Sequence, residues 1–174
     1  MRVTGGILKN RVLKSPKGDT TRPTSEKLRL AVFNKLQSRI EGATFLDLFA
    51  GSGAMGLEAL SRGALKATFV ENHPEALKAL FANIAALGLE ASSKVIKHNA
   101  HKVLSKLGSF DLIYVDPPYG ADIELPPSLL KAEGILLYES NHEITLPGFT
   151  LIETRSYGET LLQVFKLTLA HPEK

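Results

Sequence analysis

The 174-residue chain has no cysteine and no tryptophan, two methionines, and only 7% aromatic residues. Without cysteine there is no disulfide, no thiolate metal site and no cysteine nucleophile. No apolar stretch approaches the roughly 18 residues that a membrane span requires, so no membrane segment is expected. The start, Met1-Arg2-Val3-Thr4-Gly5-Gly6, lacks the apolar block of a secretory signal, and the cytoplasm is the expected compartment. The five histidines show no metal-ligand spacing, and no metal is expected. Ser52 and Ser61 have no partnered His–Asp arrangement and read as structural. No repeat, linker or low-complexity segment divides the chain, and one domain is the expectation for this length.

The hydrophobic content of 44% is enough to bury a genuine core. Charge is distributed unevenly. Residues 1–39 carry ten Lys/Arg against Asp19 and Glu26, a net of +8; the remainder carries eleven basic and sixteen acidic residues, a net of −5. A basic arm on an acidic body suggests a polyanionic partner met by that arm. Arg2, Lys9, Arg11, Lys14 and Arg22 are its candidate phosphate contacts.

Residues 1–23 read as the arm and 24–174 as the body. Turn signals at Gly5-Gly6 and Pro16-Lys17-Gly18-Asp19 surround Ile7-Leu8 and Val12-Leu13, the pattern of a small hairpin. Thr24 is the expected N-cap of a first helix whose apolar stripe is Leu28, Ala31, Val32, Leu36 and Ile40. From Thr44 onward strands and helices alternate. Strands are predicted at 44–48, 67–70, 94–97, 112–115 and 135–138, with helices at 53–62, 74–87 and 101–107. The helix over 74–87 opens on Pro74 and stops at Gly88. Such alternation is the signature of a parallel α/β sheet covered on both faces. The runs 150–154 and 161–167, joined through Tyr157-Gly158, read as a closing hairpin.

The strand Phe45-Leu46-Asp47-Leu48 opens through Phe49-Ala50 into Gly51-Ser52-Gly53-Ala54-Met55-Gly56, and Glu71 follows Gly51 by twenty residues. That spacing by itself also fits a dinucleotide site. Two features favour S-adenosylmethionine over NAD. Asp47 would attract a cationic methionine portion and repel a pyrophosphate. A dehydrogenase also gives no role to Asp116-Pro117-Pro118-Tyr119, which ends the apolar run 111–115. Glu71, with Asn72 beside it, is placed to accept from ribose hydroxyls. Asn99-Ala100 either faces the adenine or caps the helix beginning at His101, and both can hold at once.

An exocyclic amine is a poor nucleophile because its lone pair is delocalised into the ring. Asp116 and the carbonyl of Pro117 can each accept one of its N–H groups, with the consecutive prolines fixing that carbonyl. Tyr119 offers a flat face for a flipped base.

With these motifs in order, the chain resembles the RsmD family of bacterial 16S ribosomal RNA guanine-N2 methyltransferases. The resemblance runs from Gly5-Gly6 and Arg22-Pro23-Thr24 with Arg29, through the glycine turn and Asp116-Pro117-Pro118-Tyr119, to Tyr138-Glu139 and Tyr157-Gly158-Glu159-Thr160. It implies a single-domain, seven-stranded, Rossmann-like class I methyltransferase that uses S-adenosyl-L-methionine. The implied substrate is one guanine of small-subunit RNA in an assembly intermediate, and a monomer is expected. Arg22, Thr24 and Arg29 join the RNA-binding set on the same ground. One departure stands out: 120–133 contains Pro126-Pro127 and leaves room for one or two turns around 128–131, where the family carries a longer crossover helix. Two other readings stay open, an adenine-N6 methyltransferase on DNA or RNA and a non-catalytic RNA-binding assembly factor.

Overall fold

The computed structural model describes residues 1–17 and 25–170. Its seven strands form one sheet in the order β3-β2-β1-β4-β5-β7-β6. The parallel part comprises β1 (Thr44–Leu48), β2 (Lys66–Glu71), β3 (Ser93–Lys97), β4 (Phe110–Val115) and β5 (Leu130–Ser140). β6 (Phe149–Tyr157) and β7 (Thr160–Leu167) form the closing hairpin, and β7 inserts antiparallel between β5 and β6. The strand order reverses between β1 and β4, the switch point where open α/β sheets hold their ligands.

Among the described residues, four α-helices accompany the sheet: α1 (Glu26–Leu36), α2 (Ala54–Ser61), α3 (Pro74–Leu87) and α4 (Ala100–Val103). α3 has the predicted ends, with Pro74 in its first turn and Gly88 left-handed at φ 67° closing it. α1 is capped by Ser25, whose side chain accepts from the Leu28 amide at 3.1 Å. The predicted cap Thr24 and the candidate Arg22 lie outside the described residues. α4 is shorter than the predicted 101–107, because the chain tightens into a 3₁₀ turn over Leu104–Lys106.

Alternate strand residues feed two apolar layers. Phe45, Phe69, Leu112, Tyr114 and Leu137 face one layer with Leu57, Leu80 and Phe33 of the helices. Leu46, Val70, Ile113, Val115 and Tyr138 face the other. The connection from β4 to β5 has no α-helix, only a 3₁₀ turn at Pro127–Leu129. Ile123, Leu125 and Leu129 of that connection, together with Val103 of α4, cover the second layer. The Tyr138 hydroxyl accepts from the Ile123 amide at 2.9 Å and pins the connection to β5.

The described part of the basic arm, residues 1–17, is docked, not free. Val3 and Leu13 are buried in the main core layer. Backbone bonds from Val3 N to Arg11 O, Asn10 N to Val3 O and Leu13 N to Met1 O fold the arm into a tight loop with one β-bridge, Arg2 to Val12.

Candidate active site

Strand register assembles the crevice. Val70, Leu48, Val115 and Tyr138 lie on one level across β2, β1, β4 and β5. The residues that immediately follow on three of these strands are Glu71, Asp116 and Glu139. Asp47 sits one residue before Leu48. Strands about 4.8 Å apart thus bring four carboxyl groups to the C-terminal edge at the switch point.

Their environments are unequal. Asp47 is 2% exposed, and its Oδ2 accepts from the Gly56 amide at 2.9 Å. Burial pushes its carboxyl up to about 7, the Gly56 hydrogen bond opposes the rise, and the Glu71 charge adds to it. Asp116 is half-buried, and burial followed by the charges of Glu139 and Asp47 holds it well above the usual carboxylate range. Glu139 accepts a hydrogen bond from the Tyr114 hydroxyl. Pro118 and Tyr119 are exposed, Tyr119 at 66%, and Ala121 N closes a turn onto the Pro118 carbonyl.

The glycine turn is braced by Glu71. Its Oε2 accepts from Gly51 N at 2.7 Å, while Oε1 accepts from Asn72 N and His73 N, both at 2.9 Å. Three of roughly four acceptor positions on a carboxylate are therefore taken by backbone. Ala50 N donates to Val70 O, and Gly53 N to Ala50 O. Gly53 is left-handed at φ 85°, and a Cβ there would lie 2.3 Å from Leu80 Cδ1, so only glycine lets the turn approach α3. Gly51 is left-handed at φ 57°, and a Cβ there would meet nothing within 4 Å. Phe49 adopts φ 65° without being glycine, a strained position at the lip, and its ring meets His101 edge-on at 6.0 Å. The Asn99 side chain accepts from His101 N at 2.9 Å and so caps α4, while Ala100 is buried.

The family described as Conserved hypothetical protein 95 matches residues 1–166. The protein named Ribosomal RNA small subunit methyltransferase D of Escherichia coli strain K12 is 37% identical over 142 residues, 80% of this chain and 71% of its own length. The YlbH protein of Bacillus subtilis strain 168 is 34% identical over 182 residues, covering 95% of this chain and 98% of its own. The chain belongs to the RsmD family. The solved yhhF structure of Escherichia coli matches this RsmD-family fold with a TM-score of 0.84 at 31% identity, over 96% of this chain and 97% of that one. The chain has the class I methyltransferase fold and is a methyltransferase that uses S-adenosyl-L-methionine.

The residues present fit that donor. Four crowded carboxyls suit a group bearing a sulfonium and an ammonium, and they would repel a pyrophosphate. Among the described residues, no cluster of three or more His, Asp or Glu could hold a metal ion, and no helix is long and apolar enough to cross a membrane.

Two expectations for this RsmD-family chain need correction. Arg29, assigned to RNA, is fully buried in the core side of α1. Its Nε faces Glu58 Oε2 at 3.5 Å and its Nη2 donates to the Arg2 carbonyl, so phosphate cannot reach it. Glu58 on α2 and Arg62, its C-cap four residues on, read in the sequence as an ordinary exposed pair. Glu58 is instead fully buried: it accepts from Thr4 N at 2.9 Å, Thr4 Oγ1 at 2.6 Å and Arg62 Nε at 2.9 Å. The remaining arm candidates among the described residues are exposed, though Arg2 donates to the Asn10 carbonyl and Arg11 to the Ala86 carbonyl near the end of α3, both at 2.8 Å. Lys9 and Lys14 are exposed as well. Glu139 is a crevice residue to which the sequence motifs assigned no role, and it is held by the hydroxyl of the buried Tyr114. Glu139 stands two places past the last strongly apolar residue of β5, and register alone brings it beside Asp116.

Proposed function

We propose that this methyltransferase modifies the exocyclic N2 amine of a guanine in small-subunit ribosomal RNA, acting as a monomer on an assembly intermediate. The observation that carries the reading is Asp116 at the end of β4, half-buried among Asp47 and Glu139, with exposed Tyr119 three residues on. The names of its small-subunit RNA methyltransferase relatives support the substrate class.

Bound S-adenosylmethionine supplies an electrophilic methyl group on a sulfonium. Asp47 and the turn from Phe49 through Ala50, Gly51, Ser52 and Gly53 hold its methionine portion. Glu71 uses its remaining acceptor position for a ribose hydroxyl, with Asn72 alongside, and Asn99-Ala100 borders the adenine. Tyr119 stacks on the flipped guanine. Asp116 and the Pro117 carbonyl accept the two amine N–H groups and orient the nitrogen lone pair toward the methyl. The raised proton affinity of Asp116 also suits it to take the proton released once the amine is methylated. Arg2, Lys9, Arg11 and Lys14 meet phosphates beside the target loop.

The test is incubation of tritiated S-adenosylmethionine with undermethylated ribosomal RNA, small-subunit particles and DNA, followed by nucleoside analysis. Label in N2-methylguanosine from small-subunit RNA is expected. Label in N6-methyladenine would replace the guanine reading, and cofactor binding without transfer to any substrate would overturn catalysis.

A further inference from the structure

Asn83 of α3 is 2% exposed, yet all of its described hydrogen bonds go to backbone of two separate segments. Its Oδ1 accepts from Lys14 N at 2.7 Å, and its Nδ2 donates to Lys14 O and Ser52 O, both at 3.0 Å. Lys14 belongs to the basic arm. Ser52 stands between Gly51 and Gly53, the two left-handed glycines of the cofactor turn. One buried amide therefore joins the arm to the backbone that cradles the methyl donor. The arm is fastened a second time, with Thr4 on Glu58, Ile7 N on Ser61 O and Leu8 N on Ser61 Oγ. Glu58 and Ser61 lie on α2, whose N-cap is Gly53. Arm and cofactor turn thus share both a clasp and a helix.

We propose that Asn83 is a positioning residue that couples the arm to the cofactor turn, so that RNA and S-adenosylmethionine strengthen each other's binding. This rests on the reading that the arm meets RNA. RNA that immobilises the arm fixes both backbone groups of Lys14. The fixed Lys14 holds the Asn83 amide in the orientation that donates to Ser52 O. The turn is then ordered before the donor arrives, and less conformational freedom is lost when it binds. Linkage makes the effect reciprocal: a donor that orders the turn must tighten RNA binding by the same factor. Only the backbone of Lys14 takes part in the clasp, so its side chain and the clasp can be perturbed separately.

Two measurements test the clasp. The first is affinity for small-subunit RNA with and without saturating S-adenosylhomocysteine, which cannot react. Wild type should bind RNA about fivefold tighter with the ligand. Asn83→Ala should reduce that ratio to near one while still binding RNA alone, and Lys14→Ala should weaken RNA in both states with the ratio preserved. A wild-type ratio near one, or a folded Asn83→Ala protein that keeps the ratio, overturns the proposal. The second measurement needs neither variant nor RNA: amide hydrogen exchange at Lys14 should slow on adding S-adenosylhomocysteine. An unchanged Lys14 amide overturns the clasp whatever the variants do. Absence of RNA binding by wild type, with the Lys14 amide still protected, would instead overturn the assignment of RNA to the arm.

Discussion

Glu58 and Asp116 are carboxylates placed in opposite surroundings by the same fold. Glu58 lies under the arm with Arg29 and Arg62 beside it and three hydrogen bonds from Thr4 and Arg62 at 2.9 Å or less. Asp116 lies at the strand ends, where burial first and then the charges of Glu139 and Asp47 leave a carboxyl that resists ionisation. A buried charge whose partners come from its own chain serves the fold. A cluster of like charges at a switch point is left uncompensated until a cation enters, and in the proposed function that cation is the methyl donor.

The largest effect is expected where a buried charge has its counter-charges beside it. Glu58→Gln leaves Arg29 buried without its counter-charge, and it should cost about 3–5 kcal/mol in chemical denaturation. A loss below about 1 kcal/mol would return Glu58 to the class of exposed pairs and erase the contrast. At the other pole, Asp116→Ala should lower the single-turnover rate by about 10²–10³-fold through lost orientation of the amine. Binding of S-adenosylhomocysteine measured by calorimetry should persist in that variant, while the preference for S-adenosylmethionine over it should shrink. Retention of most of the rate would remove Asp116 from the chemistry.

Asp47 sharpens the comparison through pH. Its folded-state carboxyl is raised from the usual 3.8 to about 7, so the protonated form is favoured by folding. The associated stability is full below about pH 4 and is lost as pH rises through about 7, on the order of 2–4 kcal/mol. Asp47→Asn should flatten that decline in thermal or denaturant unfolding without cofactor, making the variant more stable than wild type at pH 8. The same variant should bind S-adenosylmethionine more weakly. If its pH–stability curve overlays the wild-type curve, Asp47 does not carry the burial penalty assigned to it. Smallest is Tyr119→Ala, which should cost about 1–3 kcal/mol in RNA transition-state binding, with Tyr119→Phe near wild type. Equal losses for both variants in kcat/KM would assign the effect to the hydroxyl and not to stacking.

Local signals were legible where chain neighbours decide the structure. Pro74 and Gly88 bound α3, Asp47 and the glycine turn mark the end of β1, and Pro126-Pro127 forecast a connection without a long helix. What escaped depended on distant partners. Glu58 looks exposed beside Arg62 because its other partners, Thr4 and Arg29, stand 54 and 29 positions away. Arg29 shares the α1 face of Leu28, Val32, Phe33 and Leu36, and nothing in its identity announces a buried guanidinium. Glu71 was legible as an acid at a strand end, but its brace on Gly51, Asn72 and His73 follows from the path of the turn. Glu139 enters the crevice only through the pairing of β4 with β5.

The central claim is that the crowded carboxyls at the switch point form a receptor for a cation. The most direct measurement is calorimetric affinity for S-adenosylmethionine and S-adenosylhomocysteine from about pH 5.5 to 8.5. The two differ by the sulfonium charge, and Asp47 and Asp116 ionise later than ordinary carboxyls. As pH rises these groups become anionic, so the affinity ratio of donor to product should climb, with proton release on donor binding. A ratio that stays flat across that range would contradict the account.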